Sequence, residues 1–396
     1  MSTDCSCPGL RDMIARLIAQ DTVSSRGHAD LDRSNRPVID LVASWTEACG
    51  FGTRILDLPH KPGKHNLVAT LGSGPGGLVL AGHADTVPWD AERWTFDPFT
   101  ATERDGRLYG LGSCDMKSYL ALAVEAARRY AGRHPARPLH IVVTADEECD
   151  MAGARSLAET EPLRADAAVI GEPTNLLPVR MHKGIFMERL RLVGRSGHSS
   201  DPAYGNNALE GMHTAIAALL AHREELQASQ RNESFRVPTP TLNLGQIRGG
   251  DNPNRICGEC ELSFDLRLLP GMDLDAERER LRERVRSALA GAGLEIRFEP
   301  LFEGTPPAET AADAPIVRAA EALTGHAAGA VAFGTEAGFF QRLGMDVLVM
   351  GPGSIAQAHQ PDEYVEIGQL EPAVRVLGEL IGRFCHAGSA ATAHAG

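Results

Sequence analysis

The sequence predicts an α/β protein: a three-layer α/β/α domain interrupted by an inserted α+β domain of ferredoxin-like (βαββαβ) order. Three observations carry this. Strands and helices alternate up to residue 181, as in a sheet covered by helices. From 182 to 299 the order becomes strand, helix, strand, strand, helix, strand, which is the split βαβ unit. From 300 to 396 the first pattern resumes, so the middle segment reads as an insert. A chain of 396 residues also exceeds the size at which single cores stop growing, and two domains are expected.

Each element has its own signal. Leu10, Met13, Ile14, Leu17 and Ile18 recur at helical spacing, and Val38, Leu41, Val42 and Trp45 carry a second amphipathic helix. Apolar or alternating runs predict strands at 53–58, 66–71, 78–82, 139–145 and 167–171, with helices at 118–131 and 152–159. In the insert, strands are expected at 184–193, 241–247, 256–268 and 294–298, with helices at 207–226 and 275–290. The prolines between 300 and 315 mark a return linker. A helix at 316–323, strands at 330–333 and 346–350, a last helix at 370–384 and a frayed tail at 388–396 complete the chain.

Composition narrows the function. The formal net charge of -13 and the absence of a basic run argue against nucleic acid as a partner. The alternating Glu and Arg residues from Glu277 to Arg286 read as a solvated helix face. No apolar stretch approaches the roughly 18 residues of a membrane-spanning helix, and residues 1–10 lack a leader's basic and apolar regions. A cytoplasmic location, away from membranes, is expected. Eight cysteines in so long a chain do not form a disulfide scaffold. Cys257 and Cys260 would fall on opposite faces of the strand predicted at 256–268, and no second cysteine pair completes a zinc site.

The chemistry gathers where strands end. The apolar run Leu78-Val79-Leu80-Ala81 stops at Gly82-His83-Ala84-Asp85. A His and an Asp two apart in extended backbone share a side, which is how an imidazole ligand gains an orienting carboxylate. Asp115 precedes a helix, Glu147 and Glu148 follow one strand, Glu172 ends another, and His359 lies in a loop beyond 346–350. Such positions are where α/β folds place their sites. Two His and several carboxylates are the inventory for a pair of divalent ions, a recurring device for hydrolysis.

The motifs GHADTVP, GSCDMK, TADEE, GEPT, GRSGHSSDP, NPNRI, FGTEAGF and AHQPDEY resemble, in order and spacing, the dinuclear-zinc aminoacylase and carboxypeptidase family of metallopeptidases. Residues 171–174, 182–184, 196–202, 240–250 and 351–364 resemble its acetylornithine deacetylase branch. The resemblance implies a zinc-peptidase catalytic domain at 1–181 and 300–396. It implies a lid and dimerisation domain at 182–299, and a homodimer.

It also implies roles. His83, Asp115 and Glu172 would bind one ion, and Asp115, Glu148 and His359 the other, with Asp115 the bridge. The ions would be Zn2+, with Co2+ or Mn2+ as alternatives. Asp85 would support His83, and Glu147 would be the general base. His198 would help hold the oxyanion, in dimers from across the interface. Asn254 and Arg255 would bind the substrate α-carboxylate, with Lys183, Gly334 and Thr335 also contributing.

The reaction implied is hydrolysis of N2-acetyl-L-ornithine to L-ornithine and acetate, in arginine biosynthesis. The alternative is another N-acyl amino acid, such as acetylcitrulline or succinyl-diaminopimelate. Cys114, Ser118, Cys149 and Asp150 depart from the family's usual small residues, and Cys114 beside the bridge raises oxidation sensitivity.

Overall fold

The computed structural model describes residues 7–28 and 30–386. The tail expected at 388–396 lies outside them, as do residues 1–6 of the segment read as lacking a leader. The chain divides into two compact units: residues 1–180, 310–329 and 335–396, and residues 181–309 with 330–334.

In the first unit the sheet runs in the order Gly52–Asp57, His65–Leu71, Leu139–Thr144, Leu78–His83, Ala167–Pro173, Asp346–Gly351. Leu78–His83 lies parallel to Leu139–Thr144 and to Ala167–Pro173, and Asp346–Gly351 lies parallel to Ala167–Pro173. Parallel strands need crossover connections whose helices cover the sheet, so their sequences read as unbroken apolar runs. Leu78–His83, Leu139–Thr144 and Ala167–Pro173 are accordingly buried at every residue. Because these strands point the same way, their carboxyl ends come together, and the loops after them can share one site.

The helices follow the amphipathic pattern. Leu10–Ile18 buries Met13, Ile14, Leu17 and Ile18 and packs on helix Lys117–Arg128, which also carries helix Leu370–Ile381. Helix Pro315–Thr324 packs against Leu370–Ile381, and Ala152–Thr160 against Ala337–Arg342. This is a three-layer α/β/α arrangement. Among the described residues, no helix is long and apolar enough to cross a membrane.

The second unit is an antiparallel four-stranded sheet in the order Thr241–Gly249, Glu259–Leu268, Gly184–Val193, Glu295–Thr305. Helices Ala208–Ser229 and Leu274–Ala288 complete the βαββαβ order, and the unit has its own apolar core around Phe186, Leu190, Met212, Leu219, Phe264 and Leu281.

Four local expectations differ. The expected linker begins as strand: Glu295–Thr305 runs through Pro300 with a register shift between Pro300 and Phe302. It is an edge strand, where proline's missing N–H is tolerated. Glu147 and Glu148 lie not in extended backbone but at the start of a short helix, Glu147–Asp150. Strand Glu259–Leu268 begins after Cys257, so Cys257 and Cys260 both enter the core of the second unit instead of opposite faces. A small sheet of Thr102–Arg104, Arg107–Tyr109 and Tyr364–Glu366 was not foreseen, because three-residue strands are too short to show alternation.

Candidate metal centre

Strand Leu78–His83 ends on His83, whose side chain is fully buried. Its Nε2 lies 3.1 Å from Oδ1 of Asp115, and its Nδ1 lies 3.0 Å from the carbonyl oxygen of Asp85. That carbonyl can only accept, so Nδ1 carries a proton, and Nε2 is the nitrogen turned toward the Asp115 carboxylate and the cluster. Asp115 reaches His359 on its other side, with Oδ2 3.6 Å from Nε2, and Glu148 lies 3.0 Å from the same nitrogen. The donor atoms of His83, Asp115 and Glu148 all fall within 4.8 Å of one another, and so do those of His83, Glu147 and Glu172. His83, Asp115, Glu147, Glu148, Glu172 and His359, drawn from separate stretches of sequence, thus form one cluster.

The backbone around the cluster is held by carboxylates. Asp85 accepts the N–H groups of Glu147 and Glu148, each at 3.2 Å, and so caps the short helix on which they lie. Asp146, immediately before, has φ 56 and is fixed by Lys61 at 2.6 Å, Lys64 at 2.9 Å and the Ser24 hydroxyl at 2.7 Å. Glu363 accepts the N–H groups of Gly112, Cys114 and Asp115 at 3.1, 2.7 and 2.9 Å, cradling the turn that presents Asp115. Sequence reading assigned no role to Glu363, Asp146, Lys61, Lys64 or Ser24. Glu363 lay inside a quoted motif, whereas the lysines act across a distance in sequence that no local pattern reveals.

The electrostatics are those of too many acids in too little water. Burial, reinforced by neighbouring carboxylates, pushes Glu147 and Glu172 well above the usual carboxylate range and raises Glu148. Burial also opposes ionisation of Asp115, yet its hydrogen bond and charge interaction with His83 hold it low. The hydrogen bond to Glu148 lifts His359 to about 9. Buried carboxylates crowded around two imidazoles are short of positive charge, and oxygen and imidazole donors suit zinc, cobalt or manganese. The residues present fit a pair of divalent ions.

Cys114 is buried, its thiol donating to the Ser354 carbonyl at 3.4 Å, and burial raises its pKa. The thiol next to Asp115 is thus enclosed rather than exposed.

The remaining expected site residues are set within their own units. Thr335 is buried in the first unit, its hydroxyl accepting the Ala337 N–H at 3.1 Å. In the second unit, His198 and Arg255 form an isolated antiparallel bridge, so they are neighbours. Nδ1 of His198 lies 2.8 Å from the Ser200 hydroxyl, Arg255 pairs with Asp251, and the Asn254 carbonyl accepts the Ser199 N–H at 3.1 Å. Lys183 is buried, donates to the Thr239 carbonyl at 2.7 Å, and has its pKa lowered by burial. A Cβ at Gly334 would stand 2.5 Å from the Thr305 methyl, so the position has no room for a side chain.

A model of the peptidase family M20/M25/M40 matches residues 79–383. Among relatives, an acetylornithine deacetylase of Proteus mirabilis is 46% identical over 378 residues, covering 96% of this chain and 97% of the relative. One of Edwardsiella ictaluri is 47% identical, covering 96% and 98%. The fold is similar to an M20 family metallo-carboxypeptidase of Sulfolobus solfataricus, with TM-score 0.74, 18% identity and coverage of 94% and 98%. It is also similar to a dinuclear metal-binding M20 peptidase of Bacillus subtilis, with TM-score 0.64, 17% identity and coverage of 94% and 96%. On the extent of these matches, the chain belongs to the peptidase family M20/M25/M40.

Proposed function

We infer that this chain is a metal-dependent amidohydrolase that cleaves the amide of N2-acetyl-L-ornithine to give L-ornithine and acetate. The observation that carries the reading is the buried acid–imidazole cluster around His83, in a chain 46% identical along 96% of its length to a relative named acetylornithine deacetylase. As ligands we propose His83, Asp115 and Glu172 for one ion and Asp115, Glu148 and His359 for the other, with zinc the first candidate.

Bound divalent ions supply Lewis acidity toward the amide carbonyl and lower the pKa of water. The chain does the rest. Glu147, buried in the cluster, takes one proton from the attacking water. The same carboxyl then gives that proton to the departing α-nitrogen and, as the C–N bond breaks, relays the second proton of the water to it as well, so ornithine leaves as the ammonium and acetate as the carboxylate. Asp85, by capping the Glu147–Asp150 helix, fixes the direction of that transfer. His198 is proposed as a donor toward the oxyanion and Arg255, with Asn254, as the binder of the α-carboxylate. The neighbouring placement of His198 and Arg255 supports their acting together.

The wider reading is a cytoplasmic homodimer serving arginine biosynthesis, in which the βαββαβ unit provides the lid and the dimer contact. The test is a kcat/KM panel of N2-acetyl-L-ornithine, acetylcitrulline and succinyl-diaminopimelate, with zinc and with cobalt. Acetylornithine leading the panel supports the reading; a clear lead for either rival replaces the substrate and leaves the reaction class standing.

A further inference from the structure

Glu336 is fully buried, and neither carboxylate oxygen has a hydrogen-bond partner. It immediately precedes helix Ala337–Arg342, yet its side chain does not cap it. The hydroxyl of Thr144 is near enough to favour its charged form, yet that group lies 3.4 Å from the Gly82 carbonyl, and burial still lifts Glu336 to about 7. Among the described residues, the other buried carboxylates outside the proposed reacting cluster are all answered within the chain. Asp85 and Glu363 take backbone N–H groups, Asp146 takes two lysines, Glu188 takes Arg278 and Arg282, and Glu277 takes His222 and Arg280. A buried acid with no counter-charge is costly to retain, and it is a standing acceptor for a cation from outside.

Its place says which cation. Thr144, next to Glu336, is the register partner of His83 at the ends of their paired strands, and Glu336 lies within electrostatic range of His83, Glu147 and Glu172. Those groups are themselves buried, so a substrate that reaches them enters the same ground. N2-acetyl-L-ornithine brings an amide, a carboxylate and a side-chain ammonium. The ions and Glu147 account for the first and Arg255 for the second. We propose that Glu336 accepts the side-chain ammonium of the substrate and thereby selects ornithine over acyl amino acids with neutral side chains. This rests on the acetylornithine reading. It predicts rejection of norvaline, which has the same carbon chain without the amine, because an unanswered buried charge discriminates strongly.

The experiment compares kcat/KM for N2-acetyl-L-ornithine and N2-acetyl-L-norvaline in metal-loaded wild type and Glu336→Gln. Metal content, and the binding of L-ornithine and L-norvaline by calorimetry, are measured alongside. The expected result is a fall of about 100-fold in the ornithine-to-norvaline ratio, in turnover and in binding, with metal content unchanged. An unchanged ratio, with both substrates falling together or metal lost, makes Glu336 structural and overturns the proposal. A wild type that hydrolyses no acetylornithine removes the parent reading, whereas a normal wild type with an unaltered ratio in the variant removes only this one. If the amide variant does not fold, Glu336→Asp keeps the charge and shortens its reach by one methylene. It is then expected to shift preference toward N2-acetyl-L-lysine, which is longer by one methylene, and no shift overturns the proposal.

Discussion

The ring of His83 is oriented by the backbone of Asp85 rather than by its carboxylate: Nδ1 is 3.0 Å from the Asp85 carbonyl and 3.7 Å from Oδ1. The carboxylate is thereby left to the N–H groups of Glu147 and Glu148. One residue therefore serves two strand ends, setting the His83 tautomer with its carbonyl and the direction of the glutamate pair with its side chain. Asp85→Ala is expected to lower metal affinity about 10–100-fold and to lower kcat as well, because the short helix loses its cap. Chelator competition with parallel kinetics measures both, and wild-type values in the two assays would contradict the role.

Glu147→Gln keeps the shape and removes the proposed proton carrier. Metal content should stay at two ions per chain while kcat falls by about 100-fold to 10,000-fold. Asp115→Ala should instead lose both ions. Elemental analysis beside turnover separates the two, and full turnover in Glu147→Gln would remove Glu147 from the reaction.

His198 gives a test of assembly. If it acts across a dimer, mixed dimers of His198→Ala and Glu147→Gln subunits contain one complete site in two. They should then regain about half of wild-type activity. Verified mixed dimers with no recovery would place its action within one chain.

His140 provides a pH test away from the cluster. It lies on strand Leu139–Thr144 with Nδ1 2.9 Å from the Thr70 hydroxyl, and burial holds its pKa down at about 4. The folded chain thus keeps it neutral while the unfolded chain protonates it below about 6.5, so stability falls as pH drops from about 6.5 to about 4. The full loss is about 3 kcal/mol. His140→Asn, which can still meet Thr70, should flatten that part of the stability profile in chemical denaturation at a series of pH values. A profile parallel to wild type would contradict it.

Much of this was legible in sequence because period and position carry physical information. Met13, Ile14, Leu17 and Ile18 announce their helix by spacing, and the buried parallel strands announce themselves as apolar runs whose ends must converge. The motifs marked His83, Asp115, Glu147, Glu148, Glu172 and His359, and the fold brings all six together. What stayed hidden depends on contacts between distant residues. Lys64 supports Asp146 across the chain, and Glu363 cradles residues 112–115 from beyond the last strand of the main sheet. The Glu147–Asp150 helix is set by Asp85, so local propensity could not foretell it. Pro300 misled because its tolerance in an edge strand depends on a sheet order that no local window contains.

In the proposed reaction, divalent ions held by the His83 cluster are needed to cleave N2-acetyl-L-ornithine. The most direct test is stripping the purified protein with a chelator, then titrating zinc back while following ornithine release and bound metal together. Negligible hydrolysis is expected without metal, with recovery that saturates as two ions bind per chain. Hydrolysis that persists in verified metal-free protein, or a reloaded protein that releases no ornithine, would contradict it.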